Sequence, residues 1–399
     1  MTDGPSEGDD GAPERAVGAD ALERDGNGLE VAVVGAGAVG ATAAYDLARA
    51  GASVTVYERG SVASGASGRA AGICYDAFAD PFDAEIAGEA IERFRTLAGE
   101  DTFPFVECPY VWLAREGDDH RADAVRRQVR RMQDHGVVAL EADADALADR
   151  FPSLHTDDVA VAGIAGAAGY TDPSRYTACL AAAADGAGAT LETETAVEVA
   201  TGPPRIVRDG TERGFDAVLV AAGARSKRLL ADAGVEIAMK PYRVQALVAD
   251  AALEEPMCYD ATDDFYVRPH PEGLLAGNGT ERREADPDGY DHEADPGFAD
   301  DLRERLRHRL PEVELEPERA WAGLCTATPD RNPLVGELRD GLYVATGFQG
   351  HGFMRAPAIG QRLARAIVDG EDVGGYDPTR FDGDEEFDVT EGMTFTFEE

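Results

Sequence analysis

Val31-Ala32-Val33-Val34-Gly35-Ala36-Gly37-Ala38-Val39-Gly40 sets three glycines in G-x-G-x-x-G spacing, directly after an apolar run and directly before a small-residue stretch of helical character, about Ala38 to Ala50. Each glycine has a separate task. Gly35 permits a tight turn, Gly37 lets backbone N–H groups approach a pyrophosphate, and Gly40 lets the helix pack close to the sheet while its N-terminus faces the negative charge. An Ala/Gly-rich chain produces such spacing by chance, so context decides. A second apolar run, Ser53 to Tyr57, ends at Glu58, eighteen residues past Gly40, where a carboxylate can accept hydrogen bonds from a ribose diol. The stretch therefore predicts a βαβ opening that binds a dinucleotide.

The next loop bears on which dinucleotide is bound. Ser61 to Tyr75, S-V-A-S-G-A-S-G-R-A-A-G-I-C-Y, is a long loop of small residues with hydroxyls at Ser64 and Ser67, suited to wrap an extended ligand. Nicotinamide-binding folds need no such loop here, although a plain surface loop would have the same composition. A later apolar run, Ala217 to Ala222, ends at Gly223, and Leu342 to Ala345 runs into the glycine-rich turn G-F-Q-G-H-G-F. Three strand ends that deliver glycine turns to one place suit FAD, which is longer than NAD and must be gripped at both ends.

Composition narrows the class. The 399 residues are 44% hydrophobic and 29% charged, enough apolar surface for one large or two interleaved domains. Acidic residues number 77 against 37 basic ones, a net charge of −40 that disfavours nucleic acid and anionic lipid as partners. Lys227 and Lys240 are the only lysines. An acid-rich, lysine-poor coat along the whole chain points to a halophile-type protein kept soluble in high salt. Five widely spaced cysteines, at 74, 108, 179, 258 and 325, form neither a disulfide framework nor a thiolate zinc site, so a reducing cytoplasm is expected and no metal. No run approaches the roughly 18 apolar residues of a membrane span.

Along the chain, residues 1–28 read as a disordered acidic tail and 377–399 as an acidic C-terminal tail. Helices are expected from Phe82 to Gly99, up to about Gly136 around Val125, Val129 and Met132, from Pro173 to about Asp185, around Phe298 to Leu310, and from Ala356 to Val368. Thr190 to Ala200 reads as one extended run, and 239–280 as strand-rich.

In order and spacing, G-A-G-A-V-G, Y-E-R-G, S-G-A-S-G-R-A-A-G, G-Y-T-D-P, L-V-A-A-G-A, W-A-G-L-C-T-A-T-P-D and G-F-Q-G-H-G-F-M-R-A-P-A-I-G span residues 30 to 370 and resemble the D-amino-acid oxidase superfamily of FAD-dependent amine oxidoreductases, glycine and sarcosine oxidases in particular. The resemblance implies an α/β fold: a discontinuous Rossmann-like FAD-binding domain (29–81, 151–237 and 321–376) and a second α+β substrate domain (82–150 and 238–320) built on an antiparallel sheet that roofs the flavin. It places Gly35, Gly37, Ala38, Val39 and Gly40 at the pyrophosphate, and Glu58 and Arg59 at the adenosine. Ala66, Ser67, Arg69, Ala71, Gly72 and Ile73 follow the diphosphate and flavin, Val197 lies near the adenine, and Gly223 closes a cofactor turn. Gly350, His351, Gly352, Phe353 and Met354 line the pyrimidine edge, where a helix N-terminus favours the charge of the reduced flavin.

Two departures bear on the substrate. Glycine oxidase-like members follow W-A-G-L with an Arg that pairs with the substrate carboxylate, where this chain has Cys325; sarcosine oxidase-like members have a Lys where Met354 stands. A thiol cannot replace a planar bidentate cation, so either another cation serves or the substrate has no free α-carboxylate. Tyr266 matches a carboxylate-contacting tyrosine, and Arg268, two residues along the same strand, is expected beside it as the anchor. His351 is a candidate participant, although amine oxidation by hydride transfer to flavin N5 requires no base. Cys325 is offset by two residues from the cysteine that tethers FAD in some sarcosine oxidases, so noncovalent FAD is expected. The expected activity is oxidation of a small amine or amino acid, a D-amino acid, glycine or an N-methyl amino acid. Oxygen and a carrier both stay open as electron acceptor, and a homo-oligomer is possible. The alternatives are an FAD-dependent 2-hydroxy-acid dehydrogenase, which would need a base, and a flavin-carrying subunit of a larger complex.

Overall fold

The computed structural model describes residues 26–314 and 316–390. Its opening strand, Glu30–Val34, lies inside a six-stranded sheet with the order Leu334–Arg339, Leu342–Thr346, Ala217–Val220, Glu30–Val34, Ser53–Tyr57, Thr190–Glu192. Neighbours run parallel except the outer pair Leu334–Arg339 and Leu342–Thr346. Val31, Ala32 and Val33 are wholly buried, as expected where a parallel strand is covered on both faces and reads as a continuous apolar run. The first helix, Ala38–Arg49, packs between Pro173–Gly186 and the last helix, Gly352–Asp369. That approach is close: a Cβ on Gly360 would stand 2.6 Å from Thr42 Cβ. A buried bidentate pair, Arg93 to Asp46 at 2.9 Å, ties the helix Pro81–Leu97 to the first helix.

A second sheet of eight strands holds, in order, Glu316–Ala327, Lys240–Asp250, Gly273–Thr280, Phe265–His270, Met257–Asp260, Tyr110–Arg115, Val159–Ala165 and Ala139–Ala142. It is antiparallel except where Met257–Asp260 meets Tyr110–Arg115. Phe298, Leu302 and Leu306, at the expected helical spacing, are buried in the core beneath this sheet. An ionic knot joins strand, loop and helix there: Arg309 and Arg115 each approach Asp260 at 2.8 Å, and both also reach Asp158. Burial works against the Asp158 carboxylate, but the His308 hydrogen bond and the two guanidiniums hold it below its ordinary range.

Several expectations change. Val159–Ala165 belongs to the large sheet, although 151–237 was expected with the dinucleotide half, and Glu316–Ala327 crosses the expected border at 321. Both strands are decided by non-local pairing. Gly163 admits the Trp112 ring, which stands where a Cβ would come within 2.2 Å, and Glu316–Ala327 runs the full length of Lys240–Asp250. The expected run from Thr190 to Ala200 breaks at Glu194, φ 51°, so that Thr190–Glu192 joins the parallel sheet and Glu198–Ala200 a separate three-stranded one. The last helix starts at Gly352, four residues before Ala356. The segment expected as a tail from 377 is packed as far as it is described: Val389 is buried against Tyr242 and Ala327, and Lys240 Nζ donates to Phe387 O at 2.7 Å. Of the expected tail 1–28, only Gly26–Gly28 is described, with Gly26 N bonded to Ala50 O at 2.8 Å; residues 1–25 and 391–399 lie outside the described residues. Among the described residues, no helix is long and apolar enough to cross a membrane.

Candidate active site

The turn after the first strand is built around one carboxylate. Gly35 takes φ 111° and sits where a Cβ would be 2.5 Å from Ala221 O, so only glycine fits between the two strand ends. Glu58 Oε2 accepts from Ala36 N at 2.9 Å and Oε1 from Gly60 N at 2.8 Å, which fixes both flanks of the opening. Ser67 Oγ accepts from Ala38 N at 2.9 Å, drawing the 61–75 loop onto the N-terminus of the first helix. Gly40 stands behind this layer: its Cα packs on Gly35, with a virtual Cβ 2.0 Å from Gly35 O. It shapes the cradle without lining it.

A cavity of about 790 Å³ runs from Gly35–Val39 and Glu58–Arg59 past Ala66, Ser67, Arg69, Ala71, Gly72 and Ile73, with Val197 and Gly223 at its side, to Gly350–Met354 at the last helix. A volume of this order suits a cofactor-sized ligand. The donors and space present fit a dinucleotide. Gly65 and Gly223 line the cavity with nothing within 4 Å of a Cβ position, and Glu58 keeps lone pairs beyond its two backbone bonds.

The roof comes from the large sheet. Tyr242, Tyr266, Asn278, Thr280 and Cys325 line the cavity, and Gly350 approaches Tyr242 and Cys325 across it. Cys325 lies opposite Tyr242 in register. His351 is buried and its Nε2 lies 3.1 Å from the Tyr75 hydroxyl, with the Phe78 ring edge-on at 5.5 Å. Burial, and then the Arg355 charge, push its pKa down to about 3, so the imidazole is neutral at ordinary pH. Tyr75 itself stacks on Tyr110, 4.2 Å between centroids.

The structure separates the two halves of the expected anchor. Tyr266 lines the cavity. Arg268 does not: its guanidinium is buried, donates to Ala71 O and Pro269 O, and lies over the Tyr170 ring at 4.9 Å. A β-strand sends both side chains to one face, but the 71–73 loop stands between Arg268 and the cavity. Burial lowers the Arg268 pKa to about 10. The guanidiniums that do line the cavity, Arg59, Arg69, Arg225 and Arg228, come from the dinucleotide side. Tyr75, Tyr242 and Asn278 also line the cavity and belong to no motif in the sequence; alternation along the strands is a signal for the last two, whereas Tyr75 stands out only as the end of the 61–75 loop.

One further grouping arises by folding alone. His155, Asp158 and His308 bring ligating atoms within 4.8 Å of one another, although their sequence spacing suggests nothing. His308 Nε2 stands 2.8 Å from Asp158 Oδ2, and Arg309 and Arg115 share the same carboxylate. With two guanidiniums on its single acid, the group reads as part of the ionic knot.

Comparison with known proteins agrees with this geometry. The family model described as FAD dependent oxidoreductase matches residues 30–366. Glycine oxidase of Geobacillus kaustophilus is 27% identical over 357 residues, covering 85% of this chain and 92% of the relative. The 4-methylaminobutanoate oxidase (formaldehyde-forming) of Paenarthrobacter nicotinovorans is 27% identical over 394 residues, covering 89% of this chain and 46% of the relative, so the chain spans about half that protein's length. Among solved structures, L-proline dehydrogenase from P. horikoshii superposes with a TM-score of 0.80 at 27% identity, over 89% of this chain and 98% of the other.

Proposed function

Because the chain belongs to the FAD-dependent oxidoreductase family, with FAD as its cofactor, we propose that it oxidises the C–N bond of a small amine or amino acid held beneath the roof sheet. The observation that carries this reading is the cavity itself, continuous from the Glu58 cradle to a roof of neutral hydrogen-bonding side chains around Tyr266. When bound, FAD supplies the two-electron acceptor for a hydride leaving the substrate's α carbon. The residues at Gly35–Val39, Glu58, Ser67 and Gly350–Met354 would hold it.

The burial of His351, which disfavours the charged imidazolium that a base would become, favours an amine over a 2-hydroxy acid. Removing an alcohol proton calls for a base with a pKa near the working pH, and an imidazole at about 3 is poorly matched to that task. An amine that enters uncharged needs no such group. On the roof, Tyr266, Tyr242 and Asn278 offer hydroxyl and amide groups, and Arg268 is engaged elsewhere. We therefore propose that any substrate carboxylate meets Tyr266 rather than a guanidinium, and that substrates of low net charge are preferred. The glycine oxidase, methylaminobutanoate oxidase and proline dehydrogenase relatives support the amine class.

Anaerobic addition of glycine, sarcosine, D-amino acids, proline, N-methyl amines and 2-hydroxy acids to the yellow protein tests this. Bleaching of the yellow oxidised-flavin band is expected with an amine. Bleaching by a hydroxy acid alone would overturn the reading, and reduction by none of them would favour a flavin-carrying subunit. Acid precipitation should release the yellow colour into the supernatant; a coloured pellet would mean that the flavin is covalently held.

A further inference from the structure

Residues 281–297 connect the roof strand Gly273–Thr280 to the helix Phe298–Arg309 and lie along the rim of the cavity, which Asp288, Tyr290 and His292 line. One carboxylate in this segment meets three guanidiniums. Asp288 Oδ1 accepts from Arg59 Nη1 at 2.8 Å and from Arg225 Nε at 3.0 Å, while Oδ2 accepts from Arg228 Nη1 at 3.1 Å. Arg225 also donates to Pro287 O at 2.9 Å, and Lys227 Nζ pairs with Glu284 at 2.7 Å. All four cations belong to the dinucleotide side. Arg59 follows the ribose acid Glu58, Arg225 lies in the turn after Gly223, and Lys227 and Arg228 sit on the short helix Ser226–Asp232.

The same segment is rooted in the roof. Arg243, buried in the strand Lys240–Asp250, donates to Glu281 and to the carbonyls of Asp291 and Glu293, and Ala322 N bonds to His292 O at 2.8 Å. A strap is thus fixed to one wall of the cavity and pinned to the other through Asp288. The pins are individually weak, because half-exposed ion pairs contribute little each. Their convergence matters more: the Arg59 hydrogen bond, helped by Arg225, holds the Asp288 carboxylate below its ordinary range, so it stays ionised throughout the neutral region.

We propose that Asp288 is a positioning residue that latches the 281–297 strap across the adenylate end of the cavity and so governs how long FAD is retained. A ligand lying along Glu58, Arg59 and Val197 cannot leave past the strap until Asp288 parts from its three arginines. Latching depends on charge, so it responds to ionic strength, whereas the apolar floor of the cradle does not. The inference needs only the cofactor and is independent of which amine is oxidised.

The test is the release rate of FAD from the loaded full-length protein, followed by the rise of free-flavin fluorescence on dilution. Asp288→Asn is expected to speed release roughly ten-fold, which is about 1.4 kcal/mol, and Asp288→Glu, which keeps the charge, to restore most of the retention. Arg225→Gln, altered on the opposite wall, should speed release in the same direction even if the Asp288 variants fold poorly. Glu272→Gln removes an acid from an ion pair with Arg319 outside the strap and should leave the rate unchanged. The ratio between Asp288→Asn and the unaltered chain should shrink as KCl rises from about 0.2 to about 2 M. A wild-type rate in Asp288→Asn, an equal acceleration in Glu272→Gln, or a ratio indifferent to salt would each overturn the latch.

Discussion

Glu58 serves two purposes with one side chain: it braces Ala36 N and Gly60 N and presents its remaining lone pairs to the cavity. Glu58→Ala leaves both N–H groups without their acceptor. Losing this bracing is expected to cost on the order of 1–3 kcal/mol of FAD affinity, a fall of about ten- to a hundred-fold. Titration of the apoprotein by flavin-fluorescence quenching reads this directly, with Glu58→Gln, which keeps an acceptor oxygen, falling between. His351 carries a pH prediction. Its folded pKa is lowered to about 3 from an ordinary 6.5, so between those values the unfolded chain binds the extra proton and the folded one does not. Stability should therefore decline as pH falls below about 6.5, and His351→Asn should remove that part of the slope in chemical denaturation at a series of pH values. In steady-state kinetics the same neutral imidazole predicts no acid limb of His351 origin; a limb near 6.5 that vanishes in His351→Asn would instead mark it as a base.

At the scale of elements, what was legible was local. The glycine spacing and the apolar run before it gave away the first strand and helix. Asp80 and Asp172, each followed by Pro, mark helix starts, and both carboxylates accept from backbone amides of the first turn. What stayed hidden was non-local. Glu316–Ala327 reads as E-P-E-R-A-W-A-G-L-C-T-A with no alternation, and it is a strand because Lys240–Asp250 pairs with it along its whole length. The site divided likewise. The residues of the glycine loops are brought together along the cavity, because a turn's position follows from the strand and helix that it joins. Arg268 lies away from the cavity because strand alternation gives a face and not the loop standing on that face. Asp288 carried no signal at all, being one acid among 77. The tightest local contact yields a prediction. Gly40→Ala forces a methyl against Gly35 O, 2.0 Å away, where both partners are backbone and neither can step aside. A loss of about 3 kcal/mol is expected from overpacking, measured as a lowered urea midpoint, together with weakened FAD binding. An unchanged midpoint would mean that the first helix is free to shift along the sheet.

For the molecule as a whole, charge is the governing quantity. With 77 acids and 37 basic residues, even complete pairing leaves a large acidic excess, and the net charge is −40. Salt acts on this surface in two opposed ways. It weakens attractive pairs such as Arg95 with Glu107 and Arg362 with Glu85 and Glu89, and it screens repulsion among the acids left over. Exposed pairs are worth about 0–1 kcal/mol each, and the guanidinium forks that reach two oxygens, as Arg95 does on Glu107, lose least because their hydrogen bonds survive screening. Repulsion is summed over the whole coat and reaches about 10 Å at 0.1 M salt but only about 3 Å at 1 M. The second effect should win. The fully buried pair of Arg309 and Asp260 lies out of reach of the added ions and keeps its contribution throughout. Tm, followed by circular dichroism on the FAD-loaded protein, is therefore expected to climb steadily from about 0.1 to about 2 M KCl. Replacing several unpaired surface acids by Gln or Asn should flatten that climb by raising its low-salt end. A Tm that stays level across the range would show that the ion pairs balance the excess charge, one that falls would show that they outweigh it, and either would count against the expectation of a halophile-type coat.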